Sequence, residues 1–438
     1  MTFQLHIFLF TTMGTFLISA LTFRAVNGYW QRFLWLGLIS GVFIYNGVGA
    51  AYPEVPGVYL IYYFGFILAL ACSFFLFTAV FVGVSRHSGR VLNRVFSDID
   101  RQRVWGIIIW LFLFLHFIPL LYPNFRLYEF FNPSPPDLKT LFLKRFQAQE
   151  VNIFLKLTGY VQTLMTPFFF IALYKYRHQI IKVVFILLFL LYIQYINKSY
   201  IGRSAIGMTT LLVFISLWTI RPDYRNRLVL IGIALLPLIL ASFYFYSVIR
   251  IGGRVHDFNF MHSVMEMIYQ ETGFPIRVGM PIIESGQRID LSSYFRWILT
   301  LPIPKILTGD ISGARINYEI SEVILNTRTG GQGWYVVLPG TVAESVYIYG
   351  RSFFWLHGVF IGFLGAIVVR LVERSPQLLF LQAHLVLLFF YVLNRGGISA
   401  LLPDVVNHFL LFYGFILLLI FNPLKKGNVG IPMNRTNG

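Results

Sequence analysis

Apolar residues run on continuously for about 20 positions at a time along this chain rather than alternating with polar ones, and short polar segments interrupt the runs. A helix of that length spans about 30 Å, the thickness of a bilayer's hydrocarbon. The runs predict about eleven spans, near 3–23, 33–52, 58–84, 104–122, 151–174, 180–197, 205–220, 228–249, 352–371, 378–394 and 399–421. A membrane barrel needs alternating apolar and polar positions, so the expected fold class is an all-α polytopic membrane protein. An odd number of spans puts the termini on opposite sides.

The polar positions orient the bundle. With the N-terminus outside, Arg24 and Arg32, the basic segment from Arg86 to Arg103, Lys175, Arg177, Lys182, Arg221, Arg225, Arg227, Arg370, Arg374, Lys425 and Lys426 all face the cytoplasm. The opposite orientation exports the most basic short loop, 85–103, against the bias of lysine and arginine toward the cytoplasmic side. Residues 1–23 lack a basic start and read as a retained span rather than a cleaved leader.

Composition narrows the class. The chain has 438 residues, 57% hydrophobic and 12% charged, which is more apolar surface than one soluble core hides. The net charge of +17 sits in the segments between spans, the pattern of membrane topology rather than of a nucleic-acid groove. Cys72 is the only cysteine, which excludes an intramolecular disulfide and a thiolate metal cluster.

Two long segments then face outward, 123–150 and the larger 250–351. The chain divides into a bundle of eight spans over 1–249, a large external loop over 250–351, and three spans with a cytoplasmic tail over 352–438. No internal repeat is visible. The large loop is rich enough in aromatic and branched residues to fold against the membrane surface, with short amphipathic helices expected around 258–271 and 291–300. It holds Arg250, Arg254, Arg277, Arg288, Arg296, Arg315, Arg328 and Arg351, and nine of the protein's 18 acidic residues.

Guanidinium groups keep their charge and present a planar fork of donors to phosphate oxygens, so clustered arginines suit a diphosphate head group. The plainer account is that each pairs with an acidic neighbour or an anionic lipid. Arg203 and Arg395 stand apart from the loop set. Each lies at the outer end of a span beside glycine, in Gly202-Arg203-Ser204 and Asn394-Arg395-Gly396-Gly397. Ionisable residues at membrane depth are functional candidates.

A second constellation is Gly330-Gly331-Gln332-Gly333-Trp334, then Leu338-Pro339-Gly340, then Glu344. The glycines can offer N–H groups to an anion but lack the Lys-Ser/Thr of a nucleotide loop, and a re-entrant turn before the next span explains them equally well. Glu344 lies about two turns before a span, as a general base or as the partner of a loop arginine. His256 and His262 lie between Arg254 and Glu266. Either can take a proton from a hydroxyl, and a satisfied loop histidine is the plainer account of each. Their spacing provides no metal site, and neither a metal nor a cofactor is expected. His6, His116, His357, His384 and His408 lie within spans and read as interhelical hydrogen-bond partners.

The Arg203 segment before a span, the single large outer loop, Gly331-x-Gly333…Leu338-Pro339-Gly340…Glu344…Tyr349-Gly350, and Asn394-Arg395-Gly396-Gly397 before the last span together resemble the Wzy-type polymerases of O-antigen and related polysaccharides. The resemblance covers roughly 195–420. It implies a bacterial inner-membrane glycosyltransferase with a GT-C-like fold, a periplasmic N-terminus and a cytoplasmic C-terminus. It also implies undecaprenyl-diphosphate-linked oligosaccharides as substrates, membrane lipids and a chain-length regulator protein as partners, and no nucleic acid. Under it, Arg203, Arg250, Arg254, Arg277, Arg288 and Arg395 surround the diphosphates, with Arg296 in reserve and His262 or Glu344 as the proton acceptor. An O-antigen ligase is the nearest alternative, since His262 and Gly273 match a spacing seen in some ligases. A lipid-linked oligosaccharide flippase is the next.

Overall fold

The computed structural model describes residues 4–83, 101–121, 153–195, 203–235, 271–301, 316–328, 336–374 and 378–406, with positions 237, 241, 265, 268–269, 303 and 334 between them. Among these there are helices joined by turns and irregular segments, and no strand. Among the described residues four helices are long and apolar enough to cross a membrane: α1 (Leu5–Ala25), α2 with its continuation (Tyr29–Ala51), α3 (Tyr59–Val80) and α12 (Trp355–Val372). Between α3 and α12 lie first α4 (Arg101–Leu121), α5 (Ile153–Lys175), α6 (Ile180–Tyr195) and α7 (Arg203–Ile220). Then come α8 (Phe274–Ser285), α9 (Leu291–Thr300), α10 (Ile316–Leu325) and α11 (Gly340–Phe353). After α12 follow α13 (Leu379–Leu387), a π turn over Leu388–Val392, α14 (Leu393–Gly396), and a helical stretch over 398–406. Much of the expected span at 228–249 and most of that at 399–421 lie outside the described residues, as do the segments 85–100 and 123–150.

The inside-out distribution of side chains identifies the solvent. Helix α1 buries Thr11, Thr15 and Thr22 and turns Phe10, Met13, Phe16 and Leu21 outward, each at least 60% exposed. In water that arrangement is unfavourable; in lipid the apolar face needs no cover, and helices associate through small and polar residues. Accordingly Thr15 meets the Tyr63 hydroxyl of α3 at 2.8 Å, and the Trp35 indole of α2 donates to the Ser19 carbonyl at 3.2 Å. This is a membrane-embedded helical protein.

The central crossing is α3 with α12. Gly358 and Gly362 lie one turn apart on α12, and a Cβ added there would fall 2.6 Å from the Phe66 carbonyl oxygen and 2.7 Å from that of Leu70, respectively. Small residues at that interval let two backbones touch. Ser73 adds a hydroxyl bond across the crossing to the Val359 carbonyl at 2.6 Å.

The two ends differ in chemistry. Gln4, the turn after Ala51, the described residues between Tyr269 and Thr300, and Arg395 share one end. It is tied by the Gln4 N–H to the Ala51 carbonyl at 2.9 Å and by the Tyr52 and Tyr269 rings, whose centres are 4.9 Å apart. At the other end Gln31 donates to Glu373 at 2.6 Å, Arg370 binds the Thr78 carbonyl, and Arg221 reaches the Arg177 carbonyl at 3.0 Å. That basic end holds Arg24, Arg32, Lys175, Arg177, Lys182, Arg221, Arg225, Arg227, Arg370 and Arg374 against Asp223 and Glu373 among the described residues.

Of the two amphipathic helices expected in the large loop, the one at 291–300 is α9. Asp290 caps it, accepting from the N–H groups of Ser292 and Ser293 at 3.3 and 3.1 Å. The one at 258–271 falls mostly outside the described residues. Helix α8 follows it, unforeseen because Pro275 and Pro281 interrupt its pattern. Proline in the first turn is compatible with a helix, and left-handed Gly286 (φ 67°) ends this one.

Candidate functional site

Arg395 lies in α14, and its side chain is about one-third exposed at the Gln4 end. Its guanidinium donates to the Tyr391 hydroxyl one turn back, lies 5.5 Å from that ring's centre, and stands 3.5 Å from the Glu271 carboxylate. Tyr45, in the π turn that follows α2, packs its ring 5.9 Å from that of Tyr391. Two residues before Glu271, the Tyr269 hydroxyl donates to Glu54 at 3.1 Å. Arg277 follows on α8, exposed, with its charge reinforced by the Tyr269 hydroxyl and then by Glu54. Of the expected phosphate-binding arginines, Arg395 therefore meets Tyr391 and Glu271, and Arg277 meets Tyr269.

A buried polar layer sets the position of Arg395. Gly397 has φ +72°, and after it the chain starts a new helix whose first free N–H groups, those of Ile398 and Ser399, donate to Glu344 at 2.5 and 3.2 Å. A Cβ at Gly397 would collide with the same carboxylate. Glu344 is 1% exposed, and His357 Nε2 of α12 lies 3.3 Å from it. Thr341 donates to the Leu393 carbonyl at 2.7 Å, and Asn394 donates to that of Phe389 at 2.7 Å. Helix α11, which supplies Thr341 and Glu344, is buried from Gly340 to Ile348 and breaks at Gly350 (φ 76°) before α12.

These surroundings correct one expectation. Glu344 is neither an accessible base nor the partner of a loop arginine; its carboxylate caps a helix N-terminus and faces His357, enclosed where a sugar hydroxyl does not reach. The stretch from Gly340 onward is a buried helix, and the glycines at 330–333, for which a re-entrant turn is the alternative, lie outside the described residues. Arg351 has a structural task, closing the far end of α8 through the carbonyls of Ile283 and Glu284.

The remaining candidates are placed separately. Arg288 and Arg296 are exposed, the first just before α9 and the second on it, where its charge acts on Asp290. Arg328 is exposed just after α10. Arg203 starts α7, but its side chain, like Arg250, Arg254, His256, His262 and the glycines at 330–333, lies outside the described residues. His116 bonds the Tyr192 hydroxyl of α6 at 2.6 Å, an interhelical partner as expected of histidines within spans. Sequence reasoning missed Glu271, Tyr45 and Tyr391. On α10, burial holds the Glu319 carboxyl above its ordinary range, partly offset by the Tyr347 hydroxyl at 3.4 Å.

Among the described residues no group of histidine, cysteine and carboxylate side chains has a metal-binding arrangement. Compared with known proteins, the chain matches no family model, no curated protein and no solved structure.

Proposed function

We propose that this chain is a Wzy-type polymerase, a metal-independent glycosyltransferase of about eleven spans and GT-C-like fold in a bacterial inner membrane, with 250–351 at the periplasmic face. It joins undecaprenyl-diphosphate-linked repeat units. The observation that carries the reading is the Arg395–Tyr391–Tyr45–Glu271 cluster, at the end of the bundle that bears the long segment. An incoming diphosphate competes with Glu271 for the Arg395 fork, because a charge-assisted pair of phosphate bonds outweighs a single 3.5 Å carboxylate contact.

In the reaction, an acceptor sugar hydroxyl attacks the anomeric carbon of the donor chain. The new C–O bond forms as the bond to the lipid diphosphate breaks, and the hydroxyl proton passes to a base, for which His262 is the candidate. Arg395 and Arg277, with Arg203, Arg250 and Arg254, offset the charge growing on the diphosphate. Glu344 holds the helix break that presents Arg395.

The test is deletion of the gene followed by complementation, with surface polysaccharide resolved on a gel. Core plus a single unit is the expected phenotype. Arg395→Ala is expected to reproduce it, and Arg395→Lys to restore little, since an ammonium lacks the fork. Full-length polymer from Arg395→Ala would refute the reading. Bare core with accumulated lipid-linked polymer would identify a ligase. A flippase is the second reading, favoured by the paired breaks at Gly350 and Gly397, since discontinuous helices mark transport sites; loss of both polymer and single unit would identify it.

A further inference from the structure

We propose that the basic end of the bundle binds the phosphodiester headgroup of an anionic phospholipid, in a cleft walled by Trp30, Tyr174, Thr219 and Arg374. The cleft has a volume of about 150 Å³ and opens between α2, α5, α7 and the start of α13. It lies at the opposite end from Arg395 and does not depend on the polymerase reading.

The walls offer what a phosphate ester with a small polar alcohol requires. Tyr174 brings a hydroxyl, Trp30 an indole and Arg374 an exposed guanidinium, while the Thr219 hydroxyl donates to the Ile215 carbonyl at 2.8 Å and the Gln382 amide to that of Val372 at 2.7 Å. Glu373 also lines the cleft and would repel an anion, but its carboxylate is held by Arg370 at 2.9 Å and by Gln31 at 2.6 Å. The rim adds a further cation, Arg177, on an aromatic support. Arg177 lies 4.5 Å from the centre of the Tyr174 ring, and Arg221, next to Ile220 of the wall, lies 4.2 Å from that of Tyr224 with its charge paired to Asp223 at 2.8 Å.

The apolar surroundings favour a lipid over a free anion. Ile180 and Ile181 of α6 are 58% and 70% exposed just beyond this rim, where acyl chains can lie along the bundle. Basic clefts between spans are suited to anionic headgroups. The excess of arginine and lysine over carboxylates at this end, counted among the described residues, supplies the complementary field.

The experiment uses the full chain, delipidated in neutral detergent and titrated with phosphatidylglycerol, with phosphatidylcholine of the same acyl chains, and with glycerol 3-phosphate. Bound lipid is counted by native mass spectrometry and stability is read as Tm. Phosphatidylglycerol is expected to be retained about tenfold better than phosphatidylcholine and to raise Tm. Arg374→Gln, at an exposed position, is expected to cut retention about tenfold. Lys182→Gln, which removes one charge from the same end of the bundle but none from the wall, is expected to change it less than about twofold. Equal retention of the two lipids overturns the proposal. So does equal loss in both variants, which would mean a diffuse field, or a full effect from glycerol 3-phosphate alone, which would mean a free-anion site.

Discussion

At the scale of single residues, the clearest electrostatic feature outside the spans is Asp290. The Ser292 hydroxyl, then the N–H groups of Ser292 and Ser293, hold its carboxyl below the usual range. A depressed folded-state value means the cap stabilises fully at pH above about 3.9 and is lost as the pH falls through the folded value. Asp290→Ala is expected to fray α9 at neutral pH, and Asp290→Asn to preserve it while removing the acid dependence; amide hydrogen exchange over 291–300 checks both. The candidate site is half legible in the sequence. Arg395 is visible because a guanidinium beside two glycines at the end of an apolar run is costly without a task. Tyr45, Tyr391 and Glu271 are not, because nothing local relates position 45 to 391, and the carboxylate of Glu271 resembles any other in a charged loop. Arg351 and Arg277 carry the same sequence signal, yet one closes a helix end and the other meets Tyr269.

At the scale of elements, the break at Gly397 and its cap at Glu344 act as a unit. Gly397→Ala forces a side chain into a backbone region that essentially only glycine occupies, at about 1–3 kcal/mol, and adds a collision with the carboxylate. Glu344→Ala leaves the N–H groups of Ile398 and Ser399 unpaired, at about 1–3 kcal/mol. Both variants are expected to lower Tm in detergent, and an unchanged Tm in both would show that the break does not depend on this contact. The apolar runs mark the long helices because length and hydropathy are local properties. Helix α11 escapes a sequence reading because its mixture of glycine, threonine, glutamate and tyrosine has no surface signature; it is helical because it is enclosed by other helices.

At the scale of the whole molecule, the two ends are chemically distinct, and the proposal assigns the Gln4 end to the periplasm. Cysteines placed at Gly57 and Gln287 on a Cys72→Ser background are expected to react with an impermeant reagent from the periplasm, and cysteines at Arg24 and Asp223 only after permeabilisation. The reverse pattern would invert the topology and remove the polymerase site from the periplasm. The crossing of α3 with α12 also governs biogenesis. Ser73 and Val359 are 286 residues apart in the chain, so the ribosome completes most of the protein while the α3 face that receives Gly358 and Gly362 still has no partner. A nascent chain halted at residue 300 is therefore expected to persist only while an insertase or chaperone shields that face, and pulse-chase degradation faster than that of the complete chain is the corresponding measurement.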